Sequence, residues 1–410
     1  MTKFRSLLVV LACGTIVATA CGSDSKSSST TAAGAATETT AAGAATETSA
    51  AGSTDTTPAA SETTAAAAGG DSGLADAKAN VAKYSKADGA IGVTIPLTGK
   101  AEKKTIAWME CDVPTCSAYL TPGFKNAAAA IGWDLSIIPM KSTDPGPAIQ
   151  QAIDAKVDFI ASTGLAIAQY QPQLDAAKAA GIPVLSCFGT DDPDPSTGLY
   201  MQCGDESFVE KTGPLMADWA IADSEGKANI LVVSIPDFPV LVSETDAFKA
   251  QVAKNCADCK VTELDATLQD LIGGTVPGSI VSKLQANPDV NYVFYSFGDL
   301  PGGVSAALQS AGLDKKVTQY GQDFSTIDLD EITAGTMGAW SADPKGYAGW
   351  LMVDAAARLS LGMTLDEERA AAPLPTIIIS DGAAAKAISD VGGDWMPPGA
   401  EDAFKKLWGV

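Results

Sequence analysis

The sequence predicts an α/β protein of two lobes, each built on a parallel sheet covered by helices. Three observations carry this. Short apolar runs alternate with helical stripes along the chain. The runs are apolar throughout rather than every second residue, as in strands buried on both faces. The alternation also restarts halfway, and one open sheet of ten or more strands is unusual, so two sheets are the simpler answer.

In the first half, residues 105–110 form a strand, and 118–131 a helix with Tyr119 and Phe124 on one face, ended by Gly132. Strand 135–139 follows. Asp144 before Pro145 is expected to cap a helix running to about 155. Strand 157–162, helix 166–180 stopped by Gly181, and strands 182–187 and 199–203 complete this half. The second half reads as helix 206–223, strand 229–235, helix 242–255, strand 260–265, helix 275–286, strand 291–295, helix 301–311, strand 317–320 and helix 326–334.

The N-terminal part is different in kind. Residues 1–20 carry Lys3 and Arg5, an apolar core and the small residues Ala18-Thr19-Ala20 before Cys21, the layout of a secretory signal that is too short to span a membrane stably. Residues 21–73 are Ser, Thr, Ala and Gly with isolated acids, and AATET recurs at 35–39 and 44–48. Such a segment buries no core and acts as a flexible spacer or as filler. Residues 74–103 hold a short helical stripe (Leu74, Ala77, Val81, Tyr84) and a connector, expected to dock on the folded body.

Composition excludes several function classes. Of 410 residues none is histidine, which removes His-activated nucleophiles and His-ligated metals. The net charge of −22, with scattered basic residues, argues against nucleic acid. Nothing calls for a cofactor or metal. Six cysteines remain beyond the signal and Cys21: Cys111 and Cys116, Cys187 and Cys203, Cys256 and Cys259. An even number in an exported protein suggests disulfides, and of the fifteen pairings the local one is simplest. Cys256 and Cys259 follow a helix instead of opening one, which favours a structural pair over a redox or zinc site.

Four segments carry a resemblance: DPGPAIQQAIDAKVDFIAST at 144–163, LDAAKAAGIPVLS at 174–186, NYVFYSFGDLPGGVSAALQSAG at 291–312, and the stretch from YGQDF to SLG at 320–362. They resemble type I periplasmic (solute-)binding proteins of ABC importers, in the ribose-type sugar-binding branch. The end of the signal resembles an actinobacterial-type lipoprotein, in which Cys21 would be lipidated; an ordinary signal cleaved nearby is the alternative. The resemblance implies two Rossmann-like lobes joined by three hinge crossings, after Cys203, near 341–343 and near 373–376. Lobe one would be 104–204 with 343–372, and lobe two 205–342 with 373–410.

It further implies a non-enzymatic, monomeric lipoprotein on the outer face of the cytoplasmic membrane, held there through the anchor alone and passing a small molecule to an ABC permease. A receptor signalling to a membrane partner is the alternative. Ligand would sit between the lobes at the strand ends. The candidates there are Glu110, Asp112, Tyr119, Phe188, Asp237, Phe238, Phe297, Asp299, Asp323 and Trp340. Asp299, in SFGDLPGG, stands where sugar binders carry an Asn-Asp pair, and a helix N-cap is its other reading. The pattern departs from the ribose type at Phe188-Gly189, Val242 and Ser341, where arginine or other polar donors would grip hydroxyls. An aromatic or apolar, cationic, or unusual polyol ligand is therefore as open as a sugar.

Overall fold

The computed structural model describes residues 71–86, 91–366 and 374–410. The expected signal, the Cys21 anchor and nearly all of the spacer lie outside these residues. Lobe one is a five-stranded parallel sheet in the order β2-β1-β3-β4-β5, from β1 (Thr105–Glu110), β2 (Asp134–Pro139), β3 (Phe159–Thr163), β4 (Val184–Cys187) and β5 (Leu199–Cys203). Its helices are α2 (Thr121–Ile131), α3 (Gly146–Asp154) and α4 (Gln171–Ala179). A π-helical turn, Cys116–Leu120, leads into α2, which Gly132 ends in the left-handed conformation. Asp144 does not cap α3 as expected. Pro145 holds the cap position without a side-chain bond, and the Asp144 amide instead closes a turn onto the Lys141 carbonyl.

Lobe two has six strands in the order β11-β10-β9-β8-β6-β7, comprising β6 (Asn229–Ser234), β7 (Lys260–Asp265), β8 (Tyr292–Tyr295), β9 (Thr318–Gln322), β10 (Trp340–Ser341) and β11 (Ile378–Ile379). Only β11 runs antiparallel. Helices α5 (Glu206–Asp223), α6 (Pro239–Asn255), α7 (Leu268–Gly273), α8 (Val276–Ala286), α9 (Val304–Ala311) and α10 (Thr326–Ala334) connect them. The β1, β4 and β6 interiors are fully buried, as their unbroken apolar runs require.

Helix α1 (Asp71–Lys83) lies on α5 and α6, with Leu74 and Ala77 against Ile221 and Cys256. The approach is close: a Cβ on Gly73 would lie 2.2 Å from the Asn255 carbonyl oxygen. The connector then crosses α11 (Lys345–Ser360), where Tyr347 and Arg358 donate to the carbonyls of Ile91 and Ile95.

Three further elements follow in the last part of the chain. Helix α11 is buried along almost its whole length, because α2 packs on it through Gly123 and Gly349 and the last helix covers it as well. Helix α12 (Gly382–Ser389) packs on α10. Helix α13 (Ala400–Trp408) corrects the expected assignment of 373–410 to lobe two, for it packs on α2 and α11 of lobe one. Its apolar face explains this: Trp408 stacks on Trp350 at 5.3 Å, and its indole donates to buried Asp354, which also pairs with Arg358. The chain thus changes lobe after β5, after β10 and before β11, and once more before α13. The third expected crossing, near 373–376, falls partly outside the described residues.

Candidate functional site

The carboxyl ends of both sheets face each other, and the loops leaving them enclose a cavity of about 80 Å³. That is room for on the order of half a dozen water-sized spheres. Lobe one contributes the loop after β1, where a disulfide joins Cys111 to Cys116 (Cα–Cα 5.6 Å), with Val113, Thr115 and Leu120. Asp112 fixes this loop by accepting from the backbone and hydroxyl of Ser142 at 3.1 and 2.7 Å. Glu110 fixes its base: it accepts from Thr121, whose oxygen accepts from the Trp108 indole.

After β4 the chain turns sharply, with Phe188 in the left-handed region (φ 58°) and its amide donating to Cys203. The Cys187–Cys203 disulfide lies beneath. It ties adjacent strands, and replacing both cysteines by alanine is expected to cost about 3 kcal/mol. Urea unfolding would measure this, and a loss below about 1 kcal/mol would show that the strand pairing alone holds the turn.

Lobe two contributes Phe238, Val240 and Leu241 at the start of α6, Phe297 after β8, and Gln322 and Asp323 at the end of β9, while Asp343 and Lys345 come from the crossing after β10 that leads into α11. Phe238 and Phe297 pack with centroids 6.2 Å apart. Asp323 is, after Phe188, the second non-glycine wall residue with a left-handed backbone (φ 64°), a conformation held only where the surroundings enforce it.

The electrostatics centre on Lys345, buried at the start of α11. Its ammonium lies 2.6 Å from Asp323, donates to the Phe324 carbonyl at 2.8 Å, and sits 4.5 Å over the Tyr119 ring. Burial alone would lower its pKa, but Asp323 and then Asp343 outweigh that and raise it. Burial pushes the Asp323 carboxyl up to about 6 despite Lys345. Burial likewise raises Asp343 and Glu244 well above the carboxylate range, with Asp323 adding to both.

Two more carboxyls, buried Asp328 and half-buried Asp394, are pushed to about 7, first by desolvation. A carboxyl whose folded pKa is raised holds its proton in the folded chain after the unfolded chain has released it, so its stabilisation is lost as pH rises through the folded value. The melting temperature is therefore expected to fall between about pH 5 and pH 8, and Asp328→Asn or Asp394→Asn to flatten the slope. A melting temperature that rises over that window would contradict these protonation states.

Of the residues singled out from sequence, Phe188, Phe238, Phe297 and Asp323 line the cavity. Tyr119 and Asp299 line a neighbouring groove of about 530 Å³ and join the lobes: Tyr119 accepts from the Thr326 amide at 2.9 Å, and Asp299 accepts from the Thr115 amide at 3.3 Å. Asp299 does not cap α9, whose cap position is Gly303. Asp237 accepts from the Leu268 amide at the start of α7, and Trp340 is fully buried, stacked on Tyr295. Glu110, Asp112, Asp237 and Trp340 are not among the cavity's lining residues. Sequence reasoning missed Gln322, Asp343 and Lys345. The signal for the last two was a lysine and an aspartate flanking a proline at a lobe crossing, SADPK, with no apolar run to mark it.

Two α/β lobes closing on a cavity at their strand ends define a hinged solute-binding protein. Residues 116–363 match the periplasmic binding protein domain family, and the chain belongs to that family, a group of type I, non-enzymatic solute binders that act outside the cytoplasm. No helix among the described residues is long and apolar enough to cross a membrane.

Solved structures share the fold. A carbohydrate transporter from Acidothermus cellulolyticus 11B in complex with myo-inositol is 24% identical, with 71% of this chain and 98% of that one covered and a TM-score of 0.58. An ABC transporter periplasmic solute-binding protein from Actinobacillus succinogenes 130z with bound D-allose is 19% identical over 70% and 100%, TM-score 0.60. One from Mycobacterium smegmatis with bound glycerol is 20% identical over 70% and 97%, TM-score 0.59. No curated protein sequence matches.

Proposed function

We propose that this chain is a monomeric lipoprotein, anchored through Cys21 to the outer face of the cytoplasmic membrane, which captures a small molecule between its lobes and delivers it to an ABC import permease. The observation that carries this is the cavity itself, walled by both lobes and bridged by the Tyr119–Thr326 and Asp299–Thr115 bonds. Such contacts exist only when the lobes are closed, so a ligand that touches both walls stabilises the closed state. The structural relatives hold a cyclitol, a sugar and a triol, which supports capture of a small polar solute. The walls here differ in kind: Phe188, Phe238, Phe297, Val113, Leu120 and Val209 offer apolar faces, favouring a ligand with an apolar body.

A panel of sugars, polyols, aromatic acids, steroids and amines, screened by melting temperature and tryptophan fluorescence, tests capture. ATP-dependent uptake through the permease in proteoliposomes tests delivery, and ligand binding without uptake would turn the reading towards a receptor. Asp299→Ala should weaken the hit on the order of tenfold, by removing a charge-assisted bond across the lobes. Unchanged affinity would show that Asp299 is not part of closure. Cys21→Ala should release the protein from membranes.

A further inference from the structure

In the polar part of the cavity two buried acceptor oxygens, on Gln322 and Asp343, have no donor among the described residues. Gln322 and Ser341 are register partners on β9 and β10, so Gln322, Asp323 and Asp343 converge where those strands end. Gln322 donates its amide nitrogen to the Ser296 carbonyl at 3.0 Å, which fixes the orientation of the amide and leaves Oε1 without a partner among the described residues. Oδ1 of Asp343 also has none, although both side chains are more than nine-tenths buried and line the cavity. Lys345 does not serve them, since it is engaged by the Asp323 carboxylate and the Phe324 carbonyl. The groups acting on Asp343 are Asp323, Glu244, Lys345 and Lys211, with Asp299 acting on Asp323 in turn. Carboxyls outnumber ammonium groups. Glu244 is itself buried with neither carboxyl oxygen partnered.

We infer that the ligand is a small organic cation with an apolar body, its ammonium head against Asp343 and Gln322 and its body among Phe188, Phe238 and Phe297. This rests on reading the cavity as the capture site. Buried acceptors without donors are costly, and an N–H-rich cation satisfies both at once. A polyol's hydroxyls would donate to the same oxygens, but those turned to the aromatic and aliphatic walls would be buried without partners. An anion would face the carboxyls.

Capture is then linked to proton release. Burial raises the pKa of Asp343, so the carboxyl facing the cavity holds its proton to higher pH than an exposed one; an ammonium that pairs with the carboxylate displaces that proton to solvent. Affinity for the cation rises with pH until the carboxyl is ionised without it.

Titration calorimetry of the full chain with benzylammonium, benzyl alcohol, benzoate, myo-inositol and D-allose tests this, at about pH 5 to 8 and in buffers of different ionisation enthalpy. Benzylammonium is expected to bind about tenfold or more tighter than benzyl alcohol, to release protons, and to weaken as pH falls. Benzoate is expected not to bind. Asp343→Asn should erase the preference for the cation and the proton release together. Equal or tighter binding of benzyl alcohol or either polyol overturns the cation and leaves capture standing. No binding of benzylammonium, or binding without proton release, overturns it too, whatever the broader panel finds. The pH dependence and buffer series need only the unaltered chain, so they decide the matter even if the variant does not fold.

Discussion

Replacing Lys345 by methionine is expected to cost about 3–5 kcal/mol of stability, because it strips a buried carboxylate of its counter-ion while preserving most of the side chain's volume. Lys345 and Asp323 are each almost inaccessible to solvent and lie 2.6 Å apart. With Lys345 gone, Asp323 escapes the penalty only by taking a proton. The loss should therefore be smaller near pH 5, where a carboxyl already shifted to about 6 is largely protonated, than near pH 8. Asp323→Asn in the same chain should recover most of it. Urea unfolding at both pH values is the measurement. A loss under about 1 kcal/mol, or one equal at both pH values, would show that the pair contributes little to the folded state.

Gly298→Ala should be comparably severe, for a steric reason. A Cβ at this position would lie 1.6 Å from the Asp323 carbonyl oxygen, and backbone cannot rotate away as a side-chain tip can. The same shift would move Phe297 and Asp299, one in the cavity wall and one in the bond between lobes. The expected cost is about 3 kcal/mol, the upper part of the range for overpacked sites, together with loss of any ligand-induced rise in melting temperature. Gly278→Ala, within α8 and with open space around it, is the control and should be neutral or slightly stabilising. Similar behaviour of the two variants would mean that the β8 and β9 loops can separate without consequence.

Much of the fold was legible because burial on both faces demands an unbroken apolar strand. The runs at β1, β4, β6 and β8 lie where they were expected, and the local cysteine pairs form three disulfides, Cys111–Cys116, Cys187–Cys203 and Cys256–Cys259. The helix carrying Lys345 was harder to read. An element covered on every side shows no polar stripe, and α11 is one. The placement of α13 was equally hidden, since its apolar face says that it packs but not on which lobe.

At the site, the aromatic residues were readable as large apolar side chains placed just after strands, where burial would be wasteful unless something packs on them. The carboxylates were not readable in the same way. Asp112, Asp237 and Asp323 each follow a strand, yet the first two hold loop and helix backbone and the third faces a buried lysine. A carboxylate's role depends on which donors reach it, and those donors come from residues up to 184 positions distant, as with Thr115 and Asp299.

Sequence alone determined the alternation of strands and helices and its restart at mid-chain, and so two sheets, because hydrophobic periodicity is a local property. Only the tertiary structure decided which charges meet in the cavity. The pairing of Lys345 with Asp323 and the unpartnered oxygens of Asp343 and Gln322 exist because β9 and β10 run side by side and α11 crosses back to the other lobe. Electrostatic interactions in a buried site are set by distances of a few ångströms between segments remote in the chain, which no spacing along it encodes.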